Sequence, residues 1–183
     1  MTDADAALPV DALRTDFDAA LEAGNVVVTA ATGSGKSTRL PVWAAREGRV
    51  LVVEPRRIAA TSLAEFIAEQ LGTSPGERVG YAIRFDSRFG PDSGIVFVTP
   101  GIALRWYADD GLAGFATVVL DELHERRWDT DLLLAILRGD GGHRLVLTSA
   151  TIAGERLARY ADARHLEAEG RSHPVRETYT ERE

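Results

Sequence analysis

Short apolar segments alternate along this chain with longer amphipathic ones. The apolar segments are rich in valine, isoleucine and leucine, which is typical of strands buried on both faces of a parallel sheet. The predicted strands cover residues 25–30, 50–54, 79–83, 94–98, 116–121 and 144–148. Between them, helical spacing predicts helices over residues 36–46, 57–71, 101–109, 129–138 and 154–162. This alternation predicts a doubly wound α/β domain, with a mostly parallel sheet flanked by helices on both faces.

The helix predicted over residues 57–71 illustrates how a buried face is expected from the sequence. Apolar side chains recur there every three or four residues, which is the spacing of one face of an α-helix. We expect this face to pack against the sheet, and it consists of Ile58, Leu63, Phe66, Ile67, Ala68 and Leu71.

Composition excludes several classes of protein. The 183 residues include no cysteine, which excludes disulfide frameworks and thiolate metal sites. No apolar segment approaches the roughly 20 residues needed to span a bilayer, and the acidic N-terminus lacks a signal-peptide pattern. We therefore expect a cytoplasmic protein that does not associate with membranes. The net charge of −7 argues against a surface that is cationic throughout, but it is compatible with a local basic groove.

The two ends of the chain differ from its middle. We expect residues 1–8 to be a flexible N-terminus and residues 9–170 to form a single domain. Residues 171–183 are polar and show no helical pattern, so they could be an edge strand, a linker to a further domain or a disordered tail.

The sequence AATGSGKSTRLP at residues 30–41 follows the first predicted strand and precedes a predicted helix. It matches the phosphate-loop pattern G-x-x-x-x-G-K-[ST] except at its first position, where Ala30 replaces glycine. Glycines let backbone N–H groups surround phosphates, and the helix N-terminus adds a positive dipole. The predicted nucleotide-binding residues of the loop are Thr32, Gly33, Ser34, Gly35, Lys36, Ser37 and Thr38.

Three positions in the stretch 30–41 carry specific expectations. Lys36 is expected to be exposed in the empty loop and to reach the β- and γ-phosphates, while the Ser37 hydroxyl is a ligand for Mg²⁺. Ala30 is expected to cost a modest distortion of the loop. The alternative interpretation is a glycine-rich strand-to-helix turn with an exposed lysine.

A second candidate site lies in ATVVLDELHER at residues 116–126, where an apolar strand ends in two acidic residues. Asp121 is expected to hold Mg²⁺, largely through water. Glu122 is expected to lie at the same metal site and to act as the base that orients and deprotonates the attacking water. The alternative is an acidic pair that begins the next helix, where negative charge favours the helix dipole.

Several ordered stretches carry a family resemblance. DELHER at 121–126, EPRRIAATSLA at 54–64, TPGIALR at 99–105 and SAT at 149–151 resemble motifs of the superfamily 2 DEAH-box RNA helicases. The HrpB-type bacterial group is the most similar, and STRLP after the loop, GYAIRFD at 80–86 and GRSHPV at 170–175 extend the resemblance. It covers the chain from about residue 8 to residue 180.

The resemblance implies a RecA-like P-loop NTPase domain that uses ATP or ADP with Mg²⁺. It implies a catalytic role for Lys36 and Glu122 and a metal site at Ser37, Asp121 and Glu122. Residues that couple the nucleotide site to RNA would be His124, Ser149, Ala150 and Thr151. Residues that contact the backbone of single-stranded RNA would be Arg56, Arg84, Thr99, Gly101 and Arg105.

The chain departs from the family pattern at three positions. Leu123 replaces the usual alanine of the box, and Pro100 stands where aspartate is common. Phe66 falls where relatives often carry an arginine that stacks on adenine. Phe66 could stack on the base in the same way or belong to the apolar face of its helix, and the helix face is the favoured interpretation.

The family has two RecA-like domains, and the arginine-finger motif of the second domain is absent from these residues. We therefore expect the N-terminal half of an ATP-dependent RNA helicase, with residues 171–183 as the linker to the second domain. This fragment is expected to be monomeric and nearly inactive by itself. The alternatives are a DNA-directed translocase of the same superfamily and a stand-alone module that binds nucleotide without catalysis.

Overall fold

A computed structural model describes residues 7–150 and 154–168. Within them, eight strands form one sheet in the order β4-β3-β5-β2-β6-β7-β1-β8. All pairs are parallel except β3 with β4. The strands are β1 (Asn25–Ala30), β2 (Val50–Val53), β3 (Val79–Ile83), β4 (Asp86–Arg88), β5 (Ile95–Val98), β6 (Thr117–Leu120), β7 (Arg144–Ser149) and β8 (Ala163–Ala168).

Helices cover both faces of this sheet. They are α1 (Arg14–Ala23), α2 (Lys36–Ala44), α3 (Arg57–Gln70), α4 (Pro100–Asp110), α5 (Trp128–Asp140) and α6 (Gly154–Ala161). Two 3₁₀ turns complete the described elements: the N-terminal turn (Pro9–Leu13) and the acidic turn (Leu123–Glu125). None of the helices in this part of the chain has the length and apolar character needed to cross a membrane. The mostly parallel sheet with helices on both faces confirms the predicted doubly wound α/β fold.

Two apolar cores lie on opposite faces of the sheet because successive strand residues point to opposite sides. Val26 and Val28 of β1 belong to one core with Phe17 and Ile67. Val27, between them, belongs to the other core, which includes Leu120, Leu133 and Leu147. Both faces are covered, so the strands are continuous apolar runs rather than alternating ones.

The register of the central strands brings four chain segments to one edge. Val53 of β2 pairs with Val98 of β5 and with Leu120 of β6. Leu120 in turn pairs with Leu147 of β7. The residues that follow these strand positions therefore lie side by side at the carboxyl edge of the sheet, where ligands bind in folds of this class.

Sequence patterns missed α1, β4 and β8. β4 reads DSR and is fully exposed, so it has no apolar signal. β8 reads ARHLEA and lies at the edge of the sheet, where charged side chains can alternate with buried ones. α1 buries only Phe17, Ala20 and Leu21, and the acidic residues around them obscure its helical spacing. The six predicted strands and five predicted helices are present, with ends that shift by up to two residues.

The expected buried face of α3 is partly wrong. Ile58 is 81% exposed and Phe66 is 44% exposed, whereas Ala60, Ala64 and Ile67 are fully buried. The small alanines set the contact face because they let the helix backbone approach the sheet closely. Ile58 and Phe66 therefore lie outside this contact face.

Residues 1–6, 151–153 and 169–183 lie outside the described part of the chain. The expectations for Thr151, for the motif at 170–175, for the N-terminal residues 1–6 and for the 171–183 segment fall there. The domain boundaries at residues 9 and 170 stay predictions.

Candidate functional site

The phosphate loop occupies the turn between β1 and α2. Gly33 and Gly35 have φ angles of +77° and +94°, a region that side chains with a Cβ rarely adopt. A Cβ on Gly35 would also lie 2.6 Å from Cδ1 of Leu8. Glycine at position 35 is therefore required by both backbone conformation and space.

Ala30 needs no glycine. It is the last residue of β1, pairs in parallel register with Ala168 and is not among the residues with positive φ. The first glycine of the pattern is replaced at a position with regular strand geometry. The expected distortion of the loop is therefore wrong.

Lys36 is buried, with 4% of its surface exposed, so the expectation of an exposed lysine is wrong. Its Nζ donates hydrogen bonds to the carbonyl oxygens of Ala30 (2.6 Å) and Ala31 (3.0 Å) and to Oγ of Ser34 (3.4 Å). The loop curls around its own ammonium group, which explains the burial. Burial lowers the pKa of Lys36, and the nearby carboxylates of Glu122 and Asp121 oppose that shift.

A cavity of about 380 Å³ opens beside the loop. Its walls include the loop glycines, Lys36, Ser37 and Thr38, the side chains of Leu63, Phe66 and Gln70 from α3, and Glu122 from the opposite side. Phe66 therefore contributes an exposed aromatic ring to this cavity. The favoured interpretation of Phe66 as a buried helix residue is wrong, and the geometry agrees with the stacking alternative.

The acidic pair follows β6 at the carboxyl edge of the sheet. Asp121 is 1% exposed, and its Oδ1 accepts hydrogen bonds from the Thr148 hydroxyl and from the Glu122 N–H. Within the described residues its other oxygen, Oδ2, is buried without a hydrogen-bond partner. A buried carboxylate oxygen with a free acceptor position is suited to a hard cation or its bound water.

Glu122 precedes a three-residue 3₁₀ turn rather than an α-helix, and its side chain makes no capping hydrogen bond to that turn, which argues against the alternative interpretation of the acidic pair. Its φ angle is +55°, in the left-handed region that non-glycine residues seldom occupy and that recurs at functional sites. Burial, followed by the charge of Asp121, raises the pKa of the Glu122 carboxyl. His124, Lys36 and Arg56 act in the opposite direction.

His124 orients Glu122 and connects it to the motif after β7. The Nδ1 of His124 accepts a hydrogen bond of 3.2 Å from the Ala150 N–H, so the neutral ring carries its proton on Nε2. Nε2 lies 3.1 Å from Oε2 of Glu122, to which it can donate. The structure thus brings together Glu122, His124 and Ala150, with Ser149 buried at the end of β7. Thr151 lies outside the described residues.

The predicted RNA-contact residues lie along the same edge of the sheet. Arg56 precedes α3, Arg84 lies in the turn between β3 and β4, and Thr99 precedes α4. Gly101 and Arg105 are exposed on α4, where Nε of Arg105 lies 3.9 Å from Asp109. Arg57 ties two of these segments together, since its Nη2 donates to the carbonyl oxygen of Arg84 at 3.1 Å.

Sequence reasoning missed two apolar residues among these arginines. Phe85 is 89% exposed and lies under the guanidinium of Arg84, 4.7 Å from its ring centroid. Ile58 lines an open groove of about 750 Å³ together with Ile83, Arg56 and Arg57. The available signal was the dipeptide Arg84-Phe85, directly after the predicted strand at 79–83.

It also missed two polar residues that support the acidic pair. Glu54 follows β2 and is 1% exposed, and burial followed by the charge of Asp121 raises the pKa of its carboxyl to about 7. Thr148 lies in β7 and is fully buried. A polar residue at the end of an otherwise apolar strand was the signal in both cases.

The residues present fit a magnesium–nucleotide complex better than a metal ion alone. In the described ranges, no three histidine, aspartate or glutamate side chains converge on a point that could hold a metal. Mg²⁺ bound to nucleotide takes most of its ligands from phosphate and water and needs only one or two protein oxygens. Ser37 and Asp121 can supply those oxygens.

Comparison with known proteins yields a family match over most of the chain. Residues 14–160 match the family described as DEAD/DEAH box helicase. The chain is 38% identical over 186 residues to "ATP-dependent RNA helicase HrpB" of Escherichia coli (strain K12), covering 94% of this chain and 23% of that protein. It is 36% identical over 172 residues to "ATP-dependent RNA helicase DHX33" of Homo sapiens, covering 85% and 24%.

A third relative, "ATP-dependent RNA helicase DHX30" of Mus musculus, is 38% identical over 191 residues. The match covers 95% of this chain and 16% of that protein. The chain thus spans a quarter or less of the length of these three curated relatives.

Proposed function

This chain belongs to the DEAD/DEAH box helicase family, and on that premise we propose that it is the ATP-binding, RecA-like part of an ATP-dependent RNA helicase. It binds ATP or ADP with Mg²⁺ at the phosphate loop and couples hydrolysis to single-stranded RNA at the adjacent edge of the sheet. The second RecA-like domain of the family is the proposed partner for hydrolysis.

One observation carries the proposal: Glu122 lines the same cavity as the phosphate loop. The two segments are far apart in the sequence, and each alone has a structural alternative. The charges of Glu122 and Asp121 both raise the pKa of the Lys36 ammonium, which supports a site shared by these three groups. A cation between two carboxylates and a glycine-rich loop is the arrangement that a nucleoside polyphosphate with a divalent cation requires.

At the nucleotide, each group has a distinct role. Lys36 exchanges its carbonyl partners for the β- and γ-phosphates, and backbone N–H groups from Gly33 to Thr38 surround the phosphate oxygens. Ser37 and Asp121 would hold Mg²⁺, which would neutralise phosphate charge when bound. Phe66 stacks on the base, and a flat aromatic face accepts any base without reading its edges.

For hydrolysis, Glu122 is the base. Its raised pKa brings the carboxylate closer to the basicity that favours proton abstraction from water near neutral pH. The Nε2–H of His124 fixes one carboxylate oxygen, which leaves the other free to face the water. His124 also reaches Ala150, so the same ring connects the base to the segment that follows β7.

RNA binds along the carboxyl edge of the sheet, where the predicted RNA-contact residues lie. These residues contact its phosphates. Arg56, Arg84 and Arg105 supply charge, and the backbone at Thr99 and Gly101 lies at the start of α4, where helix N–H groups favour anions. Phe85 and Ile58 add apolar surface on which bases can pack. A local groove of this kind reconciles RNA binding with a net charge of −7.

The test is a titration of the purified chain with fluorescent ADP and Mg²⁺, followed by titrations with labelled single-stranded RNA and with DNA of the same sequence. We expect saturable nucleotide binding, and RNA binding that weakens steeply with salt. Equal or stronger binding of DNA favours the DNA-directed alternative. Absence of nucleotide binding by a folded chain contradicts the proposal.

A further inference from the structure

Arg56 is an RNA-contact candidate, but two carboxylates already hold its guanidinium. Its Nε lies 3.3 Å from Oε1 of Glu54 and 3.5 Å from Oε1 of Glu125. The backbone N–H of Arg56 donates to the same Glu54 oxygen at 3.1 Å. Glu54 is buried, whereas 60% of the Arg56 side chain is exposed. Glu54 thus contacts Arg56 from the protein interior, whereas Glu125, whose side chain is 31% exposed, contacts it near the surface.

The two carboxylates belong to different parts of the molecule. Glu54 follows β2, in the segment that leads into α3. Glu125 ends the acidic turn, which begins directly after the proposed base Glu122. The Arg56–Glu125 pair therefore connects the predicted RNA-contact surface to the turn that follows the proposed base.

The acidic turn is held in an unfavourable conformation. Glu122 and Arg126, which flank it, have φ angles of +55° and +51°, and neither is glycine. Residues with a Cβ rarely adopt this conformation, so surrounding contacts must hold the turn in place. The Glu125 N–H donates to the Glu122 carbonyl at 2.9 Å, so a movement of Glu125 is transmitted to the backbone of Glu122.

We propose that Glu125 is a positioning residue that competes with an RNA phosphate for Arg56, so that RNA binding releases the acidic turn and changes the nucleotide site. This inference rests on the proposed function, because it requires RNA at Arg56. Phosphate and carboxylate both accept the planar donors of a guanidinium, so a phosphodiester that binds Arg56 weakens its bond to Glu125. Glu54 remains as the buried anchor.

Competition makes a prediction that a structural ion pair does not. If Glu125 only stabilised the fold, its neutralisation would leave RNA affinity unchanged or weaker. If it competes for Arg56, its neutralisation strengthens RNA binding. An ion pair of this exposure is worth up to about 1 kcal/mol, so Glu125→Gln is expected to tighten RNA binding about two- to fivefold.

The experiment measures the affinity of the chain for a fluorescein-labelled oligouridylate and for fluorescent Mg²⁺–ADP, each alone and in the presence of the other. The variants are Glu125→Gln, Arg56→Ala and Glu69→Gln. Glu69 is an exposed glutamate at the far end of α3, so its variant controls for the loss of one negative charge. Circular dichroism and thermal unfolding check that each variant is folded.

In the wild-type chain, RNA and Mg²⁺–ADP are expected to change each other's affinity by the same factor, as linkage requires. In Glu125→Gln, RNA is expected to bind more tightly, and the factor by which each ligand changes the affinity of the other is expected to fall towards one. Glu69→Gln is expected to change neither quantity beyond the effect of net charge.

Three outcomes overturn the inference. The first is an unchanged RNA affinity in Glu125→Gln. The second is an equal rise of RNA affinity in Glu69→Gln. The third is a wild-type chain that binds RNA and Mg²⁺–ADP without coupling. If the wild-type chain binds Mg²⁺–ADP but no RNA, or if Arg56→Ala leaves RNA affinity intact, the RNA part of the proposed function fails first. The inference then fails with it.

Discussion

The hydroxyl of Thr148 donates a hydrogen bond to Oδ1 of Asp121 across two neighbouring parallel strands. The same hydroxyl accepts a bond of 3.1 Å from the N–H of Glu122. One buried side chain thus fixes the rotamer of the first acidic residue and the backbone of the second. It also leaves Oδ2 of Asp121 as the atom available to a cation.

Thr148→Val is expected to weaken Mg²⁺-dependent nucleotide binding while the chain remains folded. Valine has the same shape but leaves the Glu122 N–H and the Asp121 carboxylate without this partner, at a cost of about 1–3 kcal/mol in stability. The measurement is the affinity for fluorescent ADP with Mg²⁺ and with EDTA. We expect the ratio of the two affinities to fall in Thr148→Val and to recover in Thr148→Ser. Equal ratios in the wild type and in Thr148→Val contradict this role.

Lys36→Met is expected to abolish tight nucleotide binding and to lower the stability of the empty chain. Methionine keeps the apolar stem but removes the ammonium that binds Ala30, Ala31 and Ser34. Each lost bond to a charged donor is worth about 1.5–3 kcal/mol, offset in part because burial of the charge is itself unfavourable. Urea unfolding and an ADP titration check both effects. A variant of wild-type stability would mean that the loop does not enclose the lysine.

Phe66→Ala is expected to weaken ADP binding with little change in stability, because the ring is 44% exposed and lines the cavity. Stacking of a base on an aromatic ring is worth about 1–3 kcal/mol, so the affinity should fall at least fivefold. Competition with inorganic pyrophosphate, which has no base, provides the control. A loss of pyrophosphate affinity equal to that of ADP would mean that Phe66 acts on the loop rather than on the base.

The pKa of Glu54 predicts a specific dependence of stability on pH. Burial raises that pKa from about 4.5 to about 7, so the folded chain retains a proton that the unfolded chain loses in this interval. The free energy of unfolding therefore falls as pH rises from about 4.5 to about 7, by roughly 3 kcal/mol from this group alone.

Glu54→Gln removes this titration while keeping an acceptor for Arg56. Urea unfolding across the interval should show the variant gaining stability relative to the wild type as pH rises. If the difference between the two proteins were the same at every pH, the Glu54 carboxyl would not be protonated in the folded chain.

The sequence was informative where a pattern has a single physical cause. Continuous apolar strands required a covered parallel sheet, and the glycine-rich loop between β1 and α2 predicted an anion site. The paired carboxylates after β6 were found because a phosphate loop calls for an acidic site at the end of another strand.

The contacts that complete the site could not be predicted in this way. Lys36 is buried because its own loop folds around it, which depends on the curvature of the backbone. Phe66 and Ile58 have the spacing of a buried helix face, but Ala60 and Ala64 decide which face packs. The Arg56 pair with Glu125 joins segments that only the register of β2 and β6 brings together.

The central claim is that the phosphate loop and the residues after β6 act on one magnesium–nucleotide complex. The most direct measurement is the affinity of the wild-type chain and of Asp121→Asn for fluorescent ADP, each with Mg²⁺ and with EDTA. Mg²⁺ is expected to strengthen binding to the wild type, whereas Asp121→Asn is expected to bind with the same affinity in both conditions. If Mg²⁺ strengthened binding equally in both proteins, Asp121 would not be part of the nucleotide site and the account would be contradicted.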